Sequence, residues 1–260
     1  MELRREQCRL PQPFGEKSRR IRSAKRLSLL DEVSLREIMK ALYVVGNAHI
    51  DPIWLWRWSE GQQVIRSTFS SQVRLLKERR DFIFFASSAS FYKLVEETDP
   101  ELFDEIRRLV KEGRWCIVGG WWVEPDCNLP SGEALARHSL YGQRYFLQKF
   151  GVKASVGYNI DSFGHNAMIP QILSKSGMKY YVFMRPGRGE KELPNEVFRW
   201  SSPDGSTVIA HRILSYVTAG ERLRQFVIGL IDEMKPPIES LLCFVGMVIT
   251  VEGPRPRIWK

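Results

Sequence analysis

The sequence contains few cysteines and no segment that would direct the chain into or across a membrane. The four cysteines, Cys8, Cys116, Cys127 and Cys243, form no C-x-x-C pair and no closely spaced set, so a dense disulfide framework is not indicated. No apolar run approaches the roughly 18 residues of a membrane helix. The Arg-rich N-terminus lacks the apolar region of a signal peptide. These absences predict a reducing, cytoplasmic setting with no membrane contact.

Positive charge is in excess, but its distribution does not resemble that of a nucleic-acid-binding protein. The formal net charge is +9. Residues 1–38 contain ten Lys and Arg against six Asp and Glu, and residues 245–260 contain three against one, which leaves +3 for the segment between them. That segment has no stripe of Lys and Arg interleaved with aromatic residues. We therefore expect no nucleic-acid partner.

From residue 39 onward, short apolar runs alternate with helix-length segments. The runs predict buried strands at 42–46, 82–86, 115–119, 155–158, 179–183 and 240–244, with one more strand from 184–220, where VFRW and TVIAH flank a turn at 203–206. Helices are predicted near 60–80, 88–112, 131–150, 167–177 and 221–234. This alternation predicts an α/β fold with a parallel sheet, and about seven strands could close into a barrel. The basic residues 1–38 are expected to be an N-terminal extension.

Polar and aromatic residues follow the ends of four predicted strands. In parallel α/β folds, functional groups gather just after the carboxyl ends of the strands. The residues at these positions are His49, Asp51 and Trp54 after the first strand, Trp121, Trp122, Glu124 and Asp126 after the third, Asp161, Phe163 and His165 after the fourth, and Arg185 after the fifth. We expect them to share one rim of the fold.

The spacing of His49 and Asp51 is suited to metal binding. In an extended segment, side chains two residues apart point the same way, and an imidazole with a carboxylate forms half of a zinc-type site. Asp161 could ligate the same ion or attack a substrate. The alternative is structural: His49 bonds locally, Asp51 caps the following turn, and Asp161 caps a helix or stabilises a turn.

Carboxylates next to tryptophans suggest glycoside chemistry. A sugar stacks its apolar face on an aromatic ring, one carboxylate attacks the anomeric carbon, and a second group protonates the leaving oxygen. Residue types and positions alone indicate a metal-dependent hydrolase with a sugar as a possible substrate. The other three histidines, His138, His165 and His211, are interpreted as structural.

Four motifs at these positions resemble glycoside hydrolase family 38, the α-mannosidases. They are GNAHIDPIWLW (46–56), GRWCIVGGWWVEPDCNLPSGEAL (113–135), YNIDSFGHNAMIPQIL (158–173) and KYYVFMRP (179–186). The motifs occur in the family's order, and the resemblance spans residues 40 to 244. The resemblance implies a seven-stranded (β/α)7-type barrel, here incomplete, with a catalytic portion over residues 39–244.

The resemblance also implies a chemistry and a ligand set. The implied reaction is retaining hydrolysis of terminal α-mannosides, with one Zn²⁺ or another divalent ion held by His49, Asp51 and Asp161. Asp161 is in addition the implied nucleophile, which forms a covalent mannosyl intermediate. The implied partner is a mannose-containing glycan or oligosaccharide.

The resemblance assigns further residues to the substrate. Trp54 and Phe163 are similar to the family's sugar-contacting aromatic residues, and Arg185 is similar to the basic residue that orients the nucleophile or the substrate. Glu124 and Asp126 belong to the shared pattern, but neither the residues themselves nor the resemblance gives them a role.

Residues 245–260 depart from the family pattern. The family places its acid/base Asp in a Gly-rich segment at this point, and its fourth metal ligand is a His further downstream. The reading frame can be shifted so that each new codon starts on the third base of the present codon. The codons possible for Val245 to Arg255 then permit the sequence Gly-Asp-Gly-Asp-His-Gly-Gly-Gly-Pro-Thr, which is similar to that segment. We therefore interpret residues 245–260 as a frame-shifted tail. We expect this portion to be inactive, with oligomerisation possible through the missing domains.

Two other functions remain open from the sequence. One is a metal-dependent hydrolase of the polysaccharide deacetylase type, for which an H-x-x-x-H metal pair would be expected, and the sequence contains none. The other is a non-catalytic glycan-binding protein that uses Trp54, Trp121 and Trp122 as its binding platform. Glycan binding that is unaffected by a chelator, without turnover, would distinguish the second.

Overall fold

The computed structural model describes residues 41–216, 225–226 and 240–248. The strands are, in chain order, β1 (Ala41–His49), β2 (Phe84–Ala86), β3 (Trp115–Ile117), β4 (Val156–Asn159), β5 (Tyr180–Phe183), β6 (Val197–Ser201), β7 (Thr207–Arg212) and β8 (Ser240–Val248). The helices are α1 (Trp58–Glu78), α2 (Ala89–Thr98), α3 (Pro100–Lys111), α4 (Gly132–Phe150) and α5 (Ile169–Lys175). The N-terminal extension over 1–38, nearly all of the helix predicted near 221–234, and residues 249–260 lie outside the described residues.

The strands of the described residues form two four-stranded sheets. In the first sheet, the order is β3-β2-β1-β8 and every pair is parallel. In the second, the order is β4-β5-β7-β6, and only β6 runs antiparallel to its neighbour. The N–H of Gly119, just after β3, donates to the carbonyl oxygen of Val156 at the start of β4, at 2.8 Å. The α/β class is therefore confirmed, whereas no pairing among the described strands closes β8 onto the second sheet.

The extents of several strands differ from the predictions. β1 and β8 pair in parallel over nine residues, from Ala41 with Ser240 to His49 with Val248. The apolar runs end earlier, at 46 and 244, because they record side-chain burial, whereas the ladder depends on main-chain pairing. Residues 245–248, the start of the segment interpreted as a tail, thus continue β8. The segment 184–220 contributes the hairpin of β6 and β7 instead of one strand.

The helix predicted over 88–112 is two helices with a break at Asp99. Asp99 has non-helical backbone angles (φ −152°, ψ 73°), as expected for a residue that precedes a proline. Pro100 is the first residue of α3, and the Asp99 carboxylate accepts a hydrogen bond from the Leu102 N–H at 3.2 Å. This cap satisfies an amide at the start of the helix. None of the helices in the described part of the chain is long and apolar enough to cross a membrane.

The apolar core has three parts that together position the strand ends. Helices α1 to α4 pack on the first sheet, and α5 packs on the second. The third part fills the space between the two sheets and consists of Phe85, Tyr158, Ile160, Val182, Ile213, Tyr216 and Phe244. The ring centroid of Phe85 lies 5.0 Å from that of Tyr158 and 5.1 Å from that of Phe244. The sheets therefore face each other, and their parallel strands end at a common edge.

Candidate active site

The carboxyl ends of β1, β4 and β5 and the loop after β3 bring charged side chains together. His49 is the last residue of β1, and Asp161 and Arg185 each follow two residues after β4 and β5. Asp51 and Glu124 complete the group, and all five are connected by contacts of 3.6 Å or less. Of the residues proposed from sequence, the structure thus places His49, Asp51, Asp161 and Arg185 in one cluster.

His49 lies at the centre of this cluster. Its side chain is 7% exposed, and its Nε2 atom lies 3.3 Å from Asp51 Oδ1 and 3.6 Å from Asp161 Oδ2. Its Nδ1 atom faces Glu124 Oε2 at 3.6 Å, and Nε2 is buried without a hydrogen-bond partner. Burial lowers the pKa of His49, but the Asp51 and Glu124 carboxylates outweigh it and raise the pKa to about 10. The three carboxylates within 3.6 Å of the ring therefore give the site a negative character.

The carboxylate of Asp161 is oriented from two directions. Arg185 Nε donates to its Oδ1 atom at 2.7 Å, a short charge-assisted hydrogen bond that raises the pKa of Arg185. The main-chain N–H of Asp161 donates to Glu124 Oε1 at 3.1 Å. One carboxylate oxygen is therefore held by Arg185, while the other faces His49.

Aromatic side chains lie beside the charged cluster. Phe163 is 74% exposed, and the Arg185 guanidinium carbon lies 4.6 Å from its ring centroid, within cation–π range. Trp54 follows Asp51 in the chain and is also exposed. The neighbouring Trp56 instead uses its indole N–H to donate to the Asp51 carbonyl oxygen at 3.1 Å. Two aromatic faces thus remain accessible near Asp51 and Asp161.

The tryptophan-rich loop after β3 is shaped by close main-chain packing. Gly120 has φ of 68°, a left-handed conformation that favours glycine. Trp121 is fully buried and donates from its indole nitrogen to Asn159 Oδ1 at 2.7 Å. Asn159 Nδ2 donates in turn to the Pro125 carbonyl oxygen at 3.2 Å. Trp121 therefore ties the loop to the end of β4 and belongs to the core, which argues against its use as an exposed sugar platform.

Glu124 is the cluster member that has no role assigned from the sequence. The signal that could have found it is its position, since it is a carboxylate that follows a predicted strand at the shared rim. A strand end does not specify the path of a loop, so residue type alone cannot distinguish Glu124 from Asp126. The structure does: Asp126 accepts hydrogen bonds from the N–H groups of Asn128 and Leu129 and stabilises its own turn.

His165 has a structural contact network, as its interpretation from the sequence suggested. Its Nε2 atom lies 2.7 Å from the Arg185 carbonyl oxygen, which can only accept, so Nε2 carries the hydrogen. Nδ1 then accepts from the Tyr181 hydroxyl at 2.9 Å. Burial lowers the pKa of His165, which is consistent with a neutral ring. His165 thus holds the main chain of the residue that binds Asp161.

The donor set fits a zinc-type ion in part. Two ligand atoms on one tetrahedral ion with bonds near 2.1 Å lie about 3.4 Å apart. The distances of 3.3 Å and 3.6 Å from His49 Nε2 to Asp51 and Asp161 agree with that separation. In the described part of the chain, however, no group of three or more such side chains is arranged to hold an ion. The buried, partnerless Nε2 atom and the donor types support a metal site, while the complete ligand sphere is not formed.

Comparison with known proteins decides the family. The model of the family described as "Glycosyl hydrolases family 38 N-terminal domain" matches residues 39–235. The chain belongs to glycosyl hydrolase family 38. A curated relative, an α-mannosidase of Saccharomyces cerevisiae, is 34% identical over 177 residues, which are 67% of this chain and 16% of the yeast protein. The family 38 chain described here thus corresponds to about a sixth of that relative's length.

Solved structures show the same fold at lower sequence identity. An α-mannosidase from Enterococcus faecalis superposes with a TM-score of 0.70 at 20% identity, covering 80% of this chain and 25% of that one. A 4-α-glucanotransferase from Thermococcus litoralis gives a TM-score of 0.57 at 15% identity, covering 79% and 32%. Because two different reactions occur on this fold, the fold alone does not specify the chemistry of the family 38 chain.

Proposed function

We propose that this chain is part of an α-mannosidase that hydrolyses terminal α-mannosides with retention of configuration, with Asp161 as the nucleophile. The observation that carries the proposal is the environment of the Asp161 carboxylate. Arg185 holds its Oδ1 atom at 2.7 Å, and its Oδ2 atom points toward the buried His49. A carboxylate held in this way at the rim of a family 38 domain is positioned to attack an anomeric carbon.

The proposed reaction proceeds in two displacements. A carboxylate oxygen of Asp161 bonds to the anomeric carbon as the bond to the leaving oxygen breaks, and a second group must protonate that oxygen. Water then cleaves the mannosyl–Asp161 ester and releases the sugar with its original configuration. None of the described residues is assigned here as the proton donor.

A divalent ion, with zinc as the expected one, would be held by His49, Asp51 and Asp161. When bound, it would polarise sugar hydroxyls as a Lewis acid and help to hold the ring in place. The imidazole and carboxylate donors suit zinc, and the partnerless Nε2 atom of His49 supports the assignment. The cluster of Asp51, Glu124 and Asp161 around His49 would attract a cation.

Trp54 and Phe163 are proposed to contact the mannose ring. Both side chains are exposed, and each follows a cluster carboxylate by two or three residues in the chain; a flat aromatic ring can stack on the apolar face of a sugar. Phe163 is held by the guanidinium of Arg185, which also binds Asp161. The contact would therefore align the sugar with the nucleophile.

We also propose that the two sheets are parts of one seven-stranded parallel barrel. Seven strands, all except β6, have a parallel neighbour in the described part of the chain. The hydrogen bond from Gly119 to Val156 connects the two sheets along one edge. The apolar side chains between them, such as Phe85, Tyr158 and Phe244, resemble the filled interior of a barrel.

The nucleophile can be tested with a mannosyl fluoride that carries a second fluorine on the ring. Fluoride departs without a proton donor, so the first displacement can be followed even where an acid/base group is missing. We expect the zinc-loaded chain to become labelled on Asp161, and the label to be absent from Asp161→Asn. Peptide mapping by mass spectrometry identifies the labelled residue, with Asp126→Asn as a control from the same rim.

Two outcomes would contradict this proposal. A label on Asp51 or Glu124 would show that Asp161 is not the nucleophile. Mannoside binding that persists in a chelator, with no residue labelled, would favour the non-catalytic glycan-binding alternative. The deacetylase-type alternative has no support in the cluster, which contains a single imidazole together with three carboxylates and the guanidinium of Arg185.

A further inference from the structure

The loop that carries Glu124 is fixed by main-chain contacts on both sides. The N–H groups of Ala89 and Ser90, at the start of α2, donate to the carbonyl oxygens of Trp121 and Trp122 at 3.0 Å and 2.8 Å. On the opposite side, Gly142 of α4 packs so closely that a Cβ atom there would lie 2.5 Å from the Trp121 carbonyl carbon. The position of the loop that carries Glu124 is therefore set by its packing against two helices.

Glu124 itself is anchored directly by Ser88, the residue that precedes α2. Ser88 is buried and has φ of 67°, an uncommon backbone conformation for a residue other than glycine. In this conformation its Oγ atom accepts the Glu124 N–H at 3.1 Å. Strained conformations persist where the surrounding structure enforces them, and they concentrate at functional sites. Ser88 thus sets the point from which the Glu124 side chain enters the cluster.

The two carboxylate oxygens of Glu124 serve different partners. Oε1 accepts the main-chain N–H of Asp161 at 3.1 Å, and Oε2 faces Nδ1 of His49 at 3.6 Å. The side chain is 13% exposed, so neither contact is strongly screened by solvent. Glu124 therefore touches both the proposed nucleophile segment and the proposed histidine ligand.

We propose that Glu124 is a positioning residue that aligns His49 and Asp161 for metal binding, an inference that rests on the proposed function above. Glu124 Oε2 faces Nδ1 of His49, while Nε2 lies on the other side of the ring, next to Asp51 and Asp161. An ion bound between these two aspartates would therefore take the lone pair of Nε2, and Nδ1 would then keep its hydrogen and direct it at Glu124. Carboxylates that fix a ligating imidazole in this way raise its basicity and set its orientation.

The experiment replaces Glu124 by an isosteric group that cannot fulfil both contacts. In Glu124→Gln, the single carbonyl oxygen can serve either the Asp161 N–H or the His49 ring, and the amide nitrogen can only donate. We expect zinc affinity of the full chain, measured by calorimetric titration, to fall by about 10- to 100-fold. The control Glu133→Gln removes an exposed carboxylate that pairs with Arg137 on α4 and should bind zinc like the wild type.

A second readout separates positioning from general stability. In the zinc-loaded wild type, ¹⁵N NMR of the His49 ring should show a metal-bound Nε2 and a protonated Nδ1. Glu124→Gln should lose this single state while its metal-free melting temperature stays close to that of the wild type. A variant with weaker zinc binding but an unchanged ring state would overturn the positioning role, because a structural defect alone would explain the loss.

The remaining outcomes distinguish this inference from the proposed site. If Glu124→Gln binds zinc as tightly as the wild type while a His49→Ala/Asp51→Ala double variant does not bind it, the role of Glu124 is overturned and the metal site stands. If the double variant also binds zinc like the wild type, the metal site itself is overturned. Should Glu124→Gln not fold, Glu124→Asp keeps the charge but shortens its reach, and wild-type zinc affinity in that variant would overturn the inference.

Discussion

The two sides of the candidate site differ in how their polar atoms are satisfied. On the side of the second sheet, Asp161 receives a 2.7 Å hydrogen bond from Arg185, whose main chain is bound by His165. On the side of the first sheet, the buried Nε2 atom of His49 lies 3.3 Å and 3.6 Å from carboxylate oxygens and has no hydrogen-bond partner. A buried polar atom without a partner costs about 1–3 kcal/mol. The Asp161 side is thus held by contacts within the chain, whereas the His49 side leaves a buried nitrogen among carboxylate oxygens, as the proposed cation site requires.

Glu124 connects these two sides. It binds the main chain of Asp161 with one oxygen and faces His49 with the other, and its loop bridges the two sheets through Trp121 and Asn159. The comparison therefore predicts that a substitution on the His49 side lowers cation binding most. A substitution in the loop of Glu124 should affect both the His49 side and the Asp161 side. A substitution outside the cluster should affect only folding.

The largest expected effect is the loss of zinc-dependent stability when the His49 side is removed. Zinc at 100 times its dissociation constant should raise the free energy of unfolding of the wild type by about 2.7 kcal/mol. The His49→Ala/Asp51→Ala double variant should show no such increase, because it lacks two of the three proposed ligands. Denaturant unfolding with zinc and with a chelator measures the difference. Glu133→Gln should keep the full increase, and an equal increase in the double variant would show that zinc binds elsewhere.

Much of the fold and of the site could be predicted because both follow from local patterns. Buried parallel strands appear as apolar runs, and residues just after them share a rim, so the sequence alone groups His49, Asp51, Asp161 and Arg185. The same reasoning could not assign Glu124, since its side-chain direction depends on Ser88 and on the packing of Gly142, which are distant in sequence.

Strand extent was unpredictable for a related reason. His49 ends β1 because residues 46–49 pair with residues 245–248 of β8, a contact between segments about 200 residues apart. Asn47, His49 and Gly246 interrupt the apolar runs, so hydrophobicity does not indicate that the ladder continues. A buried strand can be recognised from its apolar run, but main-chain pairing between distant segments is not indicated by the local sequence.

A smaller effect is expected from filling the space at Gly142. A methyl group at this position would meet the main chain of Trp121 at 2.5 Å, and main chain cannot move aside as a flexible side chain can. We expect Gly142→Ala to destabilise the protein by about 1–3 kcal/mol, in spite of the higher helix propensity of alanine. It should also weaken zinc binding, because the loop leads to Glu124.

Gly132 provides the matched control on the same helix. A Cβ atom there would meet nothing within 4 Å, so Gly132→Ala should leave the free energy of unfolding unchanged or raise it slightly, by at most about 1 kcal/mol. Equal stability of the two variants in urea unfolding would show that the contact between α4 and the loop is not tight.

The smallest expected effect is a pH dependence of stability that comes from Glu196, the residue before β6, which is not one of the five cluster residues. Glu196 binds the buried Arg212 at 3.1 Å and Arg188 at 2.7 Å. Burial raises the pKa of Glu196, but the hydrogen bonds from the two guanidinium groups outweigh it and lower the pKa from its ordinary value. The contribution of Glu196 to stability is therefore present above the unfolded pKa of about 4.3 and is lost as the pH falls through the lower, folded pKa.

The test compares the pH dependence of unfolding in the wild type and in Glu196→Gln. The variant should be less stable than the wild type at pH 7, and this deficit should shrink as the pH falls below the unfolded pKa of about 4.3 toward the lower, folded pKa. Urea unfolding at several pH values measures both, and Glu133→Gln, which removes an exposed carboxylate, should show a smaller deficit at pH 7. A deficit that stays constant between pH 7 and pH 3 would show that the charge of Glu196 does not stabilise this sheet. Because Arg212 is 4% exposed, the loss of its carboxylate partner leaves a buried cation only partly compensated, which is why a measurable effect is expected.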